Sequence, residues 1–233
     1  MENEAQVIVD FSENFGTKSQ NDVQQAFFGK NQIGLFTAVA YIGPKKAKSS
    51  YIIANDDASH SKHQVYFYLK LFIDDLKTRN SALSKIFVVS DGAASQFKNC
   101  FILTTIMTAE SDFGIELQWD FSPTSHGKSP ADGLGGNVKR CVESRVMSGK
   151  FEVYTAKDFI DCASTFCIRV TLRCVTSVDM KETNDILDQR WKSTKVIQGS
   201  CSFHHFRRAE NGKDLMTAVS TKLDGVKIFK NRK

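Results

Sequence analysis

Two short apolar runs each close on an aspartate. Val7-Ile8-Val9-Asp10 reads as a buried strand ending in a carboxylate, and Ile86-Phe87-Val88-Val89 runs into Ser90-Asp91-Gly92 in the same way. If these strands are parallel neighbours, the carboxylates of Asp10 and Asp91 face each other. Adjacent carboxylates repel unless positive charge lies between them, and oxygen ligands of this kind suit Mg²⁺ or Mn²⁺. Two such ions clamp the attacking and leaving oxygens of an in-line phosphoryl displacement. The plainer alternative is that strand-end aspartates cap turns, as Asp91-Gly92 can.

A third ligand should come from the segment Ser125-His126-Gly127-Lys128-Ser129-Pro130-Ala131-Asp132-Gly133-Leu134-Gly135-Gly136 or from the helix that it enters. At about 100° per residue, Gly136, Lys139 and Glu143 share the direction of Asp132. Asp132 and Glu143 are roughly 16 Å apart along a helix, so one metal pair cannot use both. Asp132 is chosen because it follows the fifth strand closely; Glu143 is the alternative. His126 suits a phosphate contact or protonation of a leaving oxygen. Lys98, Lys128, Lys139 and Arg140 suit phosphate contacts.

The elements that would position these groups alternate in period. Strands are expected over residues 7–11, 33–42, 51–54, 86–89 and 115–121. Helices are expected from a cap at Asp57 or Ser59 to Arg79, over 94–109, and after the glycine-rich segment to Met147. Val65, Leu69, Phe72 and Leu76 give the first helix a core-facing stripe. The order β-β-β-α-β-α-β-α predicts an α/β fold, a mixed five-stranded sheet with helices on both faces. Beyond Gly149 the pattern weakens. A helix is expected at 156–163, a strand at 168–175, a helix at 182–191 and then an irregular basic end. The division expected is a core over 5–150 and a basic C-terminal α+β extension over 151–233.

The 233 residues carry a net charge of +5. Residues 1–150 hold 16 Lys/Arg against 16 Asp/Glu, so the excess lies in the last third, with 15 against 10. A neutral acidic-site body with a basic end suits a polyanion such as DNA. Phe203-His204-His205-Phe206-Arg207-Arg208 mixes rings and cations as a nucleic-acid groove does. No apolar run approaches a membrane span, and the acidic start is unlike a signal peptide, so a nuclear or cytoplasmic protein is expected. Cys162-x4-Cys167-x6-Cys174 and Cys201-x2-His204-His205 miss the usual zinc spacings; buried thiols are expected instead of zinc.

The strand-end aspartates and this element order resemble the ribonuclease-H-like catalytic core of DDE/D transposases and retroviral-type integrases. More narrowly, Ser90-Asp91-Gly92-Ala93-Ala94-Ser95-Gln96-Phe97-Lys98-Asn99 and His126-Gly127-Lys128-x-x-x-Asp132-Gly133-x-Gly135-Gly136-x-x-Lys139-Arg140 look like proteins derived from eukaryotic DNA transposons. The resemblance implies a metal-binding triad of Asp10, Asp91 and Asp132, metal-dependent DNA cleavage and strand transfer. The chain starts almost at its first strand, which suggests a core excised from a longer transposase or surviving as a domesticated fragment. The alternatives are a catalytically silent binding module and a host nuclease of the same fold. The expected partner is DNA, with self-association left open.

Overall fold

The computed structural model describes residues 2–17, 32–122, 129–212, 214–218 and, as backbone, 227–229. Strands β1 (Glu4–Gly16), β2 (Gln32–Ile42) and β3 (Ala47–Asn55) form an antiparallel meander. Helix α1 (Lys62–Arg79) leads to β4 (Lys85–Asp91), and α2 (Cys100–Phe113) leads to β5 (Glu116–Ser122). β4 runs parallel to β1, and β5 parallel to β4. The order β3-β2-β1-β4-β5, followed by α3 (Pro130–Met147), is a ribonuclease-H-like arrangement.

The sheet continues past those five strands. After α4 (Ala156–Ser164), β6 (Val170–Cys174) pairs parallel with β3 at one edge. After α5 (Ser177–Trp191), β7 (His205–Arg208), β8 (Leu215–Ala218) and β9 (Lys227–Phe229) extend the β5 edge in antiparallel fashion. The basic end expected to be irregular is therefore strand. Phe206, Leu215 and Ala218 are buried there, and strands this short show no alternation that sequence could display.

Two apolar clusters lie on opposite faces. One joins Val7, Val9, Val88 and Trp119 to the inner sides of α1 and α2, including Val65, Leu69, Phe72 and Leu76. The other joins Ile33, Leu35 and Ile52 to Val138, Val142 and Val146 of α3 and Phe159 of α4. Among the described residues, no helix is long and apolar enough to cross a membrane.

Some boundaries differ from expectation for local reasons. α1 is capped by neither Asp57 nor Ser59 but by Ser61, whose side chain accepts from the Gln64 amide in a capping box. α2 starts at residue 100 instead of 94. Asn99 accepts from the Ile102 amide and donates back to the carbonyls of Ala94 and Gln96, which closes 94–98 as a turn. α5 begins five residues early because Thr176 and Asp179 form a capping box. The thiols are not uniformly buried: Cys162 is, whereas Cys174 and Cys201 are exposed.

Candidate active site

Asp10 lies within β1 opposite Thr37 of β2, whose hydroxyl donates to the Asp10 carbonyl at 3.2 Å. The parallel register of β1 and β4 pairs Ile8 with Val89. Two further residues bring Asp10 level with Asp91, on strands spaced about 4.8 Å apart. Strand alternation puts both side chains on the face away from Val7, Val9 and Val88, the face that α3 crosses.

α3 reaches this face because its glycines let it. A Cβ on Gly135 would lie 2.5 Å from Ser12 Oγ, 2.9 Å from Ser12 Cβ and 3.1 Å from Thr37 Cγ2. Only a residue without a Cβ permits the helix to lie so close over β1 and β2. Nothing lies within 4 Å of that position at Gly133 or Gly136. The close seat at Gly135 brings Asp132, one turn earlier, onto Asp10. Asp132 also closes a capping box: Oδ2 accepts from the Ser129 amide at 2.9 Å, and its own amide donates to Ser129 Oγ at 3.0 Å. The glycine-rich stretch is thus helix from Pro130. Ser-Pro-x-Asp, with proline at the first helical position, is the signal in the sequence for that start.

Asp10 and Asp132 perturb each other in opposite directions. Burial, a hydrogen bond with Asp132 and the charges of Asp132 and Asp91 push Asp10 up to about 8. Asp132 moves below the ordinary carboxylate range, chiefly because Asp10 donates to it, helped by the Ser129 amide and hydroxyl. Asp10 therefore holds the proton and Asp132 the charge. Asp91 Oδ1 accepts from the Ala93 amide at 3.3 Å, so this aspartate also caps its turn. Among the described residues, no three His, Cys, Asp or Glu side chains stand ready as a metal-holding group.

The expected phosphate-binding residues divide. Lys98 Nζ donates to the Cys201 carbonyl at 2.8 Å and lies 5.8 Å from the centre of the Phe121 ring; burial lowers its pKa. Lys139 Nζ donates to the Glu13 carbonyl at 2.8 Å and stands 3.7 Å from the Glu13 carboxylate. Arg140 is exposed on α3. His126 and Lys128 lie outside the described residues. Glu143 lies on α3 eleven residues beyond Asp132, three turns away.

The aromatic-basic run 203–208 is largely committed to internal contacts. His204 Nδ1 lies 2.9 Å from the Phe121 carbonyl, and Phe206 is core. Arg207 turns onto Met216 Sδ, and Arg208 pairs with Glu110. His205 Nδ1 pairs with Asp120, directly opposite across β5 and β7. Asp120 is level with Val89 in the β4–β5 register, so this pair shares the sheet face of Asp91. Sequence reasoning missed it, because nothing local signals that residue 205 returns to β5.

Fold and site together define an α/β protein of ribonuclease-H-like topology with Asp10 and Asp91 level with each other on neighbouring parallel strands. The chain belongs to the family described as "Domain of unknown function (DUF8701)", whose model matches residues 1–220. No curated protein matches it. Similar solved structures include a human cytomegalovirus terminase nuclease domain, Mn soaked and inhibitor bound. That one is 13% identical with a TM-score of 0.31, over 82% of this chain and 73% of that chain. A second structure of the human cytomegalovirus terminase nuclease domain is 12% identical with a TM-score of 0.31, over 84% of this chain and 76% of that one. Likeness at this level does not bear on chemistry.

Proposed function

We propose that this protein cleaves DNA phosphodiester bonds with the help of divalent cations, strand transfer to a DNA 3′-hydroxyl being the transposase-like extension of the same chemistry. The placement of Asp10 level with Asp91 on neighbouring parallel strands, with Asp132 brought over Asp10 by the close seat of Gly135, carries the reading. A half-buried carboxyl raised by desolvation and by two neighbouring acids is the electrostatic situation that a cation relieves, and an all-oxygen donor set fits Mg²⁺ or Mn²⁺. Asp10, Asp91 and Asp132 would hold the metal, which would polarise a phosphodiester and activate water or a 3′-hydroxyl.

The chain's own residues prepare that site. On cation binding Asp10 would release its proton to solvent, and Gly135 keeps Asp132 close to Asp10. Arg140, exposed on α3, is placed for a phosphate of the bound strand.

A catalytically silent binding module is the second reading. It is favoured by the commitment of Asp132 Oδ2 to its helix cap and by the lack of a ready three-ligand group among the described residues. The deciding experiment incubates the full chain with labelled duplex DNA, single-stranded DNA, RNA and RNA–DNA hybrid, with Mg²⁺ or Mn²⁺. DNA cleavage that drops at least 100-fold in Asp10→Asn and Asp91→Asn is expected. Cleavage confined to RNA or hybrid would indicate a host-type nuclease. In parallel melts, Mn²⁺ about 100-fold above its dissociation constant should stabilise wild type by roughly 2.7 kcal/mol and Asp91→Asn far less. No cleavage and no melt shift would sink the catalytic reading and leave the silent module.

A further inference from the structure

His60 stands just before Ser61, the cap of α1, at a φ of 52°. This left-handed backbone is costly for a residue with a Cβ, and asparagine or glycine would adopt it with less strain. The turn delivers an imidazole to the ends of β1 and β4. His60 Nε2 lies 2.7 Å from Asn14 Oδ1, and Nδ1 lies 3.2 Å from Gln96 Nε2. One nitrogen faces an amide oxygen and the other an amide donor, which fixes the neutral tautomer with its proton on Nε2. Burial lowers the imidazole pKa and acts in the same direction.

The ring also completes a stack. It lies 4.3 Å from Phe11, at 15° between planes, and Phe11 lies 5.6 Å from Phe97 at 29°. Phe11 immediately follows Asp10. Asn14 sits where the register of β1 against β2 shifts between Ser12 and Phe15. Gln96 and Phe97 belong to the segment that follows Asp91. Two hydrogen bonds and a three-ring stack thus join the two strand ends, on the face opposite the carboxylates.

We infer that His60 is a positioning residue that ties the end of β1 to the segment after β4 and so holds Asp10 and Asp91 at the separation where a cation can be shared. The inference rests on the reading of those carboxylates as cation ligands. Asparagine or glycine would relieve the backbone, but neither offers two polar atoms on opposite edges of a stacking ring. The bridge is what the strain at residue 60 sustains.

The test compares the full-length wild type with His60→Gly, Gln96→Ala, the double variant and Asp91→Asn. Mn²⁺ binding is measured by calorimetry, and backbone hydrogen exchange of residues 11–17 and 92–98 is measured without metal. His60→Gly should bind Mn²⁺ at least tenfold more weakly. The double variant should be no weaker than His60→Gly, since the lost arm is shared. Both segments should exchange about tenfold faster, with β2 and β3 unchanged. A merely structural histidine would lower the melting temperature without moving Mn²⁺ affinity. If His60→Gly fails to melt cooperatively, Gln96→Ala, which keeps ring and backbone, carries the same comparison. Mn²⁺ affinity within twofold of wild type together with unchanged exchange overturns the inference. Wild-type Mn²⁺ binding no tighter than that of Asp91→Asn overturns the cation-ligand reading instead, and exchange alone then decides whether His60 ties the strand ends.

Discussion

Asp10 gives the metal-free protein a contribution to stability that falls as pH rises. Its folded value of about 8 lies above the ordinary 3.8, so the folded state keeps a proton that the unfolded chain releases between about pH 4 and pH 8. Stability from this group is fully present below pH 4 and is lost as pH rises through that window. With a chelator present, wild type should melt at a lower temperature at pH 8 than at pH 5. Asp10→Asn mimics the protonated form, so it should show a flatter profile and out-melt wild type at pH 8. Parallel profiles for the two proteins would show that Asp10 does not hold the proton. The strand-end position of Asp91 was legible because a β-branched run stops at it, whereas Asp10, expected to end its strand, sits mid-strand because β1 runs on to Gly16. The coupling of Asp10 to Asp132 was not legible, because it depends on how closely a distant helix is seated. His60 left no trace in the sequence either: its partners at 11, 14 and 96 meet only through the sheet.

The three glycines of α3 have different duties, and a helical wheel does not separate them. Gly135→Ala pushes a Cβ into Ser12 and Thr37, where Ser12 Cβ is part of a paired strand and cannot swing aside. A cost of about 1–3 kcal/mol is expected, the usual range for overpacking. The lifted helix should also part Asp132 from Asp10 and flatten the pH profile described above. Ser12→Gly should recover part of both losses. Gly133→Ala and Gly136→Ala meet open space and should stabilise α3 by up to about 1 kcal/mol each. Melting curves of the four variants are sufficient, and Gly135→Ala melting like Gly136→Ala would refute the seat. The arrangement of the first five strands and most element centres were readable because each of those strands carries its own apolar run, whereas the edge strands β6 to β9 were not placed in the sheet. The ends of α1, α2 and α5 follow side-chain caps at Ser61, Asn99 and Thr176, signals a residue or two wide that apolar periodicity overlooks.

At the scale of the whole molecule, the C-terminal third is woven into the sheet on both edges. β6 completes the β3 side and β7 the β5 side, while Leu187, Trp191 and Phe206 belong to the main core. Deleting residues 151–233 would expose that core and unfold the protein, so it cannot report on the role of the positive excess there. Local neutralisation can. Lys192 and Lys195 are exposed just after α5, in the part of the chain that carries the excess of 15 over 10. If this region lies along bound duplex DNA, Lys192→Gln and Lys195→Gln together should remove two phosphate contacts. The slope of log K against log salt should then shrink by about 1.8, at about 0.9 per phosphate. Binding should weaken equally for unrelated sequences, because phosphate contacts read no bases. Arg140→Gln serves as the comparison on α3, about two turns beyond Asp132. A slope changed by Arg140→Gln and untouched by the double variant would place the DNA on the α3 face alone. The positive excess of the last third would then be an ordinary solvated surface, and the charge asymmetry of the chain would carry no information about its partner.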